Sequence, residues 1–65
     1  MKLYAEDGTE LKIGMKVNTF RDEPAEVRAM YKPHHPSSTG RVVLQFPDGS
    51  QGEYFPSVIN AQWKA

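Results

Sequence analysis

Residues 41–55, RVVLQFPDGSQGEYF, decide the fold. Val42, Leu44 and Phe46 share one face of residues 41–46, which is typical of a half-buried strand. The sequence Pro-Asp-Gly-Ser at 47–50 predicts a turn, and residues 51–55 predict a second strand. The stretch therefore predicts a β-hairpin with one apolar face.

Residues 25–32 extend this hairpin into a three-stranded antiparallel meander. They place Val27, Ala29 and Tyr31 on one face, and the interval between Pro24 and Pro33 is short for a helix. The register that keeps the apolar residues on one face pairs Tyr31 with Val42, Ala29 with Leu44, Val27 with Phe46, Leu44 with Tyr54, and Phe46 with Gly52. A slip of one residue would turn this face outward, so the two hairpins support each other.

The rest of the chain predicts further short strands, because Gly and Pro interrupt it at short intervals. Asp7 and Gly8 predict a tight turn in an N-terminal hairpin, and strands are expected over residues 15–20 and around Trp63. Residues 33–40 predict a loop, and residues 56–59 predict one helical turn. We therefore expect one all-β domain over residues 1–65, with a hairpin extension over 1–13 and a small barrel of about five strands over 14–64.

The composition excludes several classes of protein. The 65 residues contain no cysteine, which excludes disulfides and zinc–thiolate sites and is compatible with a reducing compartment. Eight basic residues balance eight acidic ones, whereas proteins that neutralise phosphates usually carry a positive excess. No apolar run has the length of a membrane span, and the N-terminus turns acidic before a signal-peptide core could form. We therefore expect a cytoplasmic protein without a membrane partner.

Residues 52–59, GEYFPSVI, resemble the end of a Src-homology-3 domain, where a Gly and an aromatic or aliphatic residue precede Pro-Ser-Asn-Tyr-Val. In that family the Pro-Ser segment is a short helical turn that links the fourth and fifth strands. Residues 14–17, GMKV, are similar to the Gly-Asp-x-Val entry of many such barrels. The resemblance implies a Src-homology-3-like barrel, and the whole chain resembles the small barrels that bacteria and their phages encode.

The resemblance does not extend to the proline-rich peptide groove of that family. The family's groove uses the tyrosines of an Ala-Leu-Tyr-Asp-Tyr stretch, a Trp, and the Asn-Tyr of the last turn. Here Val58 and Ile59 stand in place of Asn-Tyr, and no Trp precedes Trp63. Because only Pro56 and one aromatic residue match, the sequence does not predict polyproline recognition.

Metal binding and catalysis have little support in the sequence. His34 and His35 are adjacent in a loop, a spacing that rarely aims two imidazoles at one ion, and no Asp, Glu or Cys cluster accompanies them. The serines lie in predicted turns, where serine is common, and no oriented base accompanies them: Ser37, Ser38, Ser50 and Ser57. We therefore expect no metal, no cofactor and no enzymatic activity.

The outward face of the predicted meander carries the candidate binding residues. The register places Met30, Val43 and Phe55 in one row across three strands, although a solvated sheet face is usually polar. The basic residues around this row are Arg28, Arg41 and Lys32. Since an apolar spot with a charged rim is typical of a small binding face, the sequence predicts a protein-interaction module with a protein partner.

Other interpretations of this face stay open. The N-terminal hairpin could cover the row as part of the core, or a second copy of the chain could pair with it in a homodimer. Alternatively, Arg28, Lys32 and Arg41 form a basic cluster beside an aromatic residue, and small barrels bind nucleic acid with such clusters. Trp63 is expected in the core, because a single Trp near a chain end usually anchors the last strand.

Overall fold

The computed structural model describes residues 1–35 and 38–65, which form short strands in two sheets. The elements in chain order are β1 (Lys2–Tyr4), β2 (Lys16–Asn18), β3 (Pro24–Tyr31), β4 (Arg41–Gln45), β5 (Gln51–Tyr54), a 3₁₀ helix (Pro56–Ile59) and β6 (Gln62–Lys64). Strands β2, β3, β4 and β5 form one antiparallel sheet in that order, and β1 pairs with β6 in the other. The chain is all-β, as predicted, and the described residues do not close into a barrel.

The helical turn predicted at residues 56–59 is confirmed. Pro56 occupies its first turn, where the missing N–H has no intrahelical partner to lose. Asn60 ends the turn in the left-handed conformation (φ 54°), and its N–H donates to the Ser57 carbonyl at 3.1 Å. The described part of the chain has no helix that is long and apolar enough to cross a membrane. Pro36 and Ser37, in the predicted loop at 33–40, lie outside the described residues.

The turn between β4 and β5 is shorter than predicted, because Phe46 pairs with Ser50 rather than with Gly52. Gly49 has a φ of 89°, which favours glycine, and its N–H donates to the Phe46 carbonyl at 2.9 Å. The Asp48 Oδ1 accepts hydrogen bonds from the Ser50 hydroxyl at 2.7 Å and the Ser50 N–H at 2.9 Å. These two hydrogen bonds lower the pKa of the Asp48 carboxyl below its ordinary value, and the bond from the Ser50 hydroxyl has the larger effect. The turn closes as the Phe46 N–H donates to the Ser50 carbonyl at 2.9 Å.

This turn shifts the β4–β5 register by two residues from the predicted one. Leu44 lies opposite Gly52, whereas we predicted Tyr54 as its partner, and Tyr54 lies opposite Val42. A Cβ on Gly52 would lie 2.5 Å from the Tyr54 hydroxyl oxygen, so the Tyr54 ring covers the glycine. Because a shift of two residues preserves the faces of a strand, the apolar face stays inward.

Strand β3 contains a β-bulge between Val27 and Ala29, and the predicted β3–β4 register is wrong on both sides of it. Before the bulge the register differs from the predicted one by two residues, and the bulge changes that difference to one residue. The observed partners are Val27 with Leu44, Ala29 with Val43, Met30 with Val42, and Tyr31 with Arg41. Arg28 is the extra residue, and it reverses the faces of the residues that follow, because side chains alternate along a strand. Met30 therefore lies on the core face, and Tyr31 lies on the outer face.

The N-terminal segment contributes to the core. Leu3 in β1 lies opposite Trp63 in β6. Tyr4 and Glu10, on either side of the turn at residues 7–8, form an isolated antiparallel β-bridge. The Leu11 N–H donates to the Leu3 carbonyl at 2.8 Å, and both leucine side chains are buried. Residues 1–13 therefore pack on the same core as the larger sheet.

The core joins residues from both sheets and the 3₁₀ helix. Its buried members are Leu3, Leu11, Ala25, Val27, Val42, Leu44, Ile59 and Ala61. Four of these side chains are fully buried, namely Leu3, Val27, Val42 and Leu44. A chain of this length buries only about 60% of the surface that its unfolded form exposes, so each of these residues contributes a large share of the stability.

We expect Leu44→Ala to lower the free energy of unfolding by about 2–5 kcal/mol, because it removes fully buried methyl groups and leaves a cavity. A core of this size rarely supplies more than roughly 3–5 kcal/mol, so the variant should be largely unfolded at room temperature. Urea denaturation followed by circular dichroism measures the loss. The control is Val43→Ala, on the outer face, which should unfold close to the wild type. Equal losses for the two variants would contradict the assignment of Leu44 to the core face.

Candidate functional site

The predicted row of Met30, Val43 and Phe55 does not form. The bulge in β3 turns Met30 inward, where it packs against the core. Val43 points outward between Ala29 and Glu53, its partners on the adjacent strands. Phe55 follows β5 directly, and its side chain is 51% exposed. Of the three residues, Val43 and Phe55 therefore stay on the outer face, and Met30 leaves it.

A different row takes the place of the predicted one at the end of the sheet. Tyr31 in β3 lies opposite Arg41 in β4, and Phe55 is next to Arg41 on the other side. We call Tyr31, Arg41 and Phe55 the outer row. Both aromatic residues are about half exposed, at 53% for Tyr31 and 51% for Phe55. The outer row is thus a cation between two aromatic side chains, open to solvent.

Arg41 is held in place by three contacts. The carbon at the centre of its guanidinium lies 4.2 Å from the centroid of the Phe55 ring, which is a cation–π contact. Its Nη1 donates to the Gly40 carbonyl at 2.7 Å, and its Nε lies 3.9 Å from Glu53 Oε1. These contacts orient the arginine along the ring and leave part of its side chain, 42% of the reference area, exposed.

An apolar groove of about 400 Å³ lies on one side of Phe55. We call it the Phe55–Trp63 groove, and its lining consists of Thr39, Phe55, Pro56, Ser57, Ala61, Gln62 and Trp63. The Trp63 Nε1 donates to the Thr39 carbonyl at 2.9 Å, so the indole is fixed and its polar atom is satisfied. Trp63 also packs against the core, as predicted, and in addition forms a wall of this groove.

A second recess of about 400 Å³ lies on the side of Arg41 and Tyr31. We call it the basic cleft, and its lining consists of Tyr31, Lys32, His34, Ser38, Gly40, Arg41 and Glu53. It brings together Lys32 and Arg41, two members of the predicted basic cluster. Arg28, the third member, is not part of its lining and instead forms an ion pair with Glu26, at 2.7 Å between Nη1 and Oε2.

Gly40 lies where the backbone passes between a residue of each recess, Tyr31 and Trp63. Its φ of 70° favours glycine, and the residue is buried. A Cβ at this position would lie 2.7 Å from the Trp63 Nε1 and in still closer contact with the Tyr31 carbonyl oxygen. Only a glycine therefore lets the chain pass between Tyr31 and Trp63 on its way into β4.

The titratable residues of the described chain do not gather into a metal site. Within residues 1–35 and 38–65, no group of three or more His, Asp or Glu side chains is placed to hold a metal ion. His34 lies in the basic cleft beside Lys32 and Arg41, and their positive charge opposes cation binding there.

The comparisons with known proteins do not identify a family. No protein-family model matches the chain, and no curated protein or solved structure is significantly similar to it. The candidate site therefore rests on the geometry of the outer row and the two recesses.

Sequence reasoning missed Tyr31 and the wall formed by Trp63. Strict alternation from Val27 predicts an inward Tyr31, and the bulge that reverses its face has no marker such as Gly or Pro. Pro56, next to Phe55, is the available signal for the groove, because the helical turn that it begins lies between Phe55 and Trp63, which line the same groove.

We expect Gly40→Ala to destabilise the protein more than Gly8→Ala does, by at least about 1 kcal/mol. Both glycines have a positive φ, so both variants meet backbone strain of about 1–2 kcal/mol. Only the Gly40 variant also places a methyl group against Tyr31 and Trp63, since the space around Gly8 is open. Urea denaturation of both variants gives the difference, and equal midpoints would show that the passage at Gly40 is looser than described.

Proposed function

We propose that this chain is a non-catalytic protein-binding module that holds an extended peptide segment across the outer row. The observation that carries the proposal is the half-exposed ring of Phe55, with Arg41 on one side and the apolar groove on the other. Aromatic and arginine side chains beside a pocket are the residues that usually dominate binding energy at protein interfaces.

The rigidity of the site supports this proposal. Arg41 is oriented by Gly40 and Phe55, and Trp63 is oriented by Thr39. A partner that binds to side chains already held in place loses less conformational entropy on association. Tyr31 and Arg41 also belong to strands of a sheet, which are more rigid supports than loops are, and Phe55 directly follows β5.

The finer description of the fold is also a proposal. We propose a Src-homology-3-like arrangement, supported by the antiparallel order of β2 to β5 and by the helical turn that follows β5. Ile59 is buried in the core where the family has the Tyr of its peptide groove, so we do not propose polyproline recognition. We further infer a cytoplasmic location, because a chain without cysteine is compatible with a reducing compartment.

Nucleic acid fits the site less well than a peptide does. Arg28 is paired with Glu26 and does not line the basic cleft. Of the predicted basic cluster, only Lys32 and Arg41 line the cleft and could contact a phosphate there. The Arg41 guanidinium already covers the face of Phe55 on which a base would stack. The chain also has a formal net charge of zero, and phosphate binding usually requires an excess of positive charge.

Selection from a random peptide library displayed on phage tests the proposal. We expect peptides that bind the wild-type chain and whose affinity falls about tenfold or more in Phe55→Ser, the loss typical of a central interface aromatic. Phe20→Ser is the matched control. Phe20 is 62% exposed and has Arg21 5.4 Å from its ring centroid, but it lines neither recess. Isothermal calorimetry on the selected peptides measures both variants.

Two outcomes would refute this function. Peptides that bind Phe55→Ser as tightly as the wild type would place the interface elsewhere on the chain. A lack of selected peptides, together with salt-sensitive binding of single-stranded oligonucleotides, would favour the nucleic-acid alternative. Circular dichroism of both variants confirms that a loss of affinity is not a loss of fold.

A further inference from the structure

The Phe55–Trp63 groove and the basic cleft lie on opposite sides of one ridge. Phe55 lines the groove, Arg41 lines the cleft, and the two side chains are stacked at 4.2 Å. A segment that crosses the outer row therefore meets an apolar recess on one side and a charged recess on the other. Because the Arg41 guanidinium lies 4.2 Å from the Phe55 ring centroid, a few residues of an extended peptide, at about 3.3–3.6 Å each, reach from one side chain to beyond the other.

The charges in the basic cleft are unbalanced. Its lining carries two positive charges, on Lys32 and Arg41, and one negative charge, on Glu53. The Arg41 Nε lies 3.9 Å from Glu53 Oε1, with both side chains exposed, and such loose surface pairs hold their partners weakly. Lys32 is exposed and forms no ion pair within the described part of the chain. The cleft therefore has cationic groups available for an anionic ligand.

Two basic residues outside the cleft are paired with acidic side chains. Arg28 lies 2.7 Å from Glu26, and Lys2 lies 3.7 Å from Glu10, so these cations are already matched. In a chain with equal numbers of acidic and basic residues, a local excess of positive charge beside an apolar groove favours a partner with the complementary charge.

We infer that the peptide bound by this module is acidic: one apolar side chain occupies the Phe55–Trp63 groove, and a carboxylate a few residues away occupies the basic cleft. This inference rests on the proposed function and specifies the partner. The Arg41 guanidinium contributes to both halves, because it supports the Phe55 ring and presents its exposed edge to the carboxylate. Lys32 supplies a second, mobile cation on a long side chain.

An array of blocked decapeptides tests the charge requirement. Each peptide carries one leucine and two glutamates at varied spacing in a background of alanine and serine. A matched array has lysine in place of the glutamates, and a third has serine in place of the leucine. We expect binding by the glutamate peptides with leucine, little binding by the lysine peptides, and a preferred spacing between the leucine and the acidic residues.

Charge variants of the cleft identify the residues that bind the carboxylate of the peptide. We expect Lys32→Gln to lower the affinity for the tightest-binding glutamate peptide about three- to fivefold, which is the loss expected for a solvated ion pair. Lys32→Glu should lower this affinity further. Higher salt should remove the difference between the wild type and Lys32→Gln. Arg28→Gln is the matched control, because Arg28 lies outside the cleft, and it should leave the affinity unchanged. Calorimetry measures each affinity.

The outcomes separate this inference from the proposed function. If phage selection yields Phe55-dependent peptides but lysine and glutamate peptides bind the chain equally, the inference is wrong and the proposed function stands. The same holds if Lys32→Glu leaves the affinity for glutamate peptides unchanged. If neither phage selection nor the array yields a peptide that depends on Phe55, both are wrong. Competition of the glutamate peptides by single-stranded oligonucleotide at physiological salt would also overturn the inference, because it would assign the cleft to phosphates.

Discussion

The β-bulge at Arg28 is the constraint on which the rest of the structure depends. One additional residue in β3 separates a core-facing Val27 from a core-facing Met30 and sends Ala29 and Tyr31 outward. Without it, alternation would bury Tyr31 and expose Met30, and the sheet would end in a methionine rather than an aromatic ring. The outer row exists because the bulge lies three residues before the end of β3, so that it reverses the face of the last residue, Tyr31.

The sequence predicted the order of β3, β4 and β5 in the sheet, but it did not predict the β1–β6 pair, and its registers were wrong. These results have physical causes. Turn residues locate these elements, each for its own reason. Asp48 accepts two hydrogen bonds within the turn, Gly49 has a positive φ that favours glycine, and Pro56 begins the helical turn. Register depends on contacts between strands, such as the Tyr54 ring that covers Gly52, and these have no periodic signature. Of the candidate site, Arg41, Lys32 and Phe55 were predictable as exposed residues near one another, whereas Tyr31 was not.

The site and the core share residues, which is a consequence of the small size of the chain. Trp63 packs against the core and forms a wall of the groove, and Gly40 lets the backbone pass between Tyr31 and Trp63. In a domain with so few buried residues, the residues that form the binding site also form part of the core. Substitutions around the groove therefore alter stability and recognition together, and exposed positions such as Phe55 and Lys32 are those where the two effects separate.

Trp63 also gives the protein its own optical reporter. It is the only tryptophan among the 65 residues, and it stands at the wall of the Phe55–Trp63 groove with its Nε1 already bonded to Thr39. Its emission therefore reports one environment, partly buried against the core and open to water on the side of the groove, and a side chain that enters the groove replaces that water. A shift of the emission maximum to shorter wavelength would follow occupancy of the groove directly, in an unlabelled chain and at the concentrations at which fluorescence is recorded.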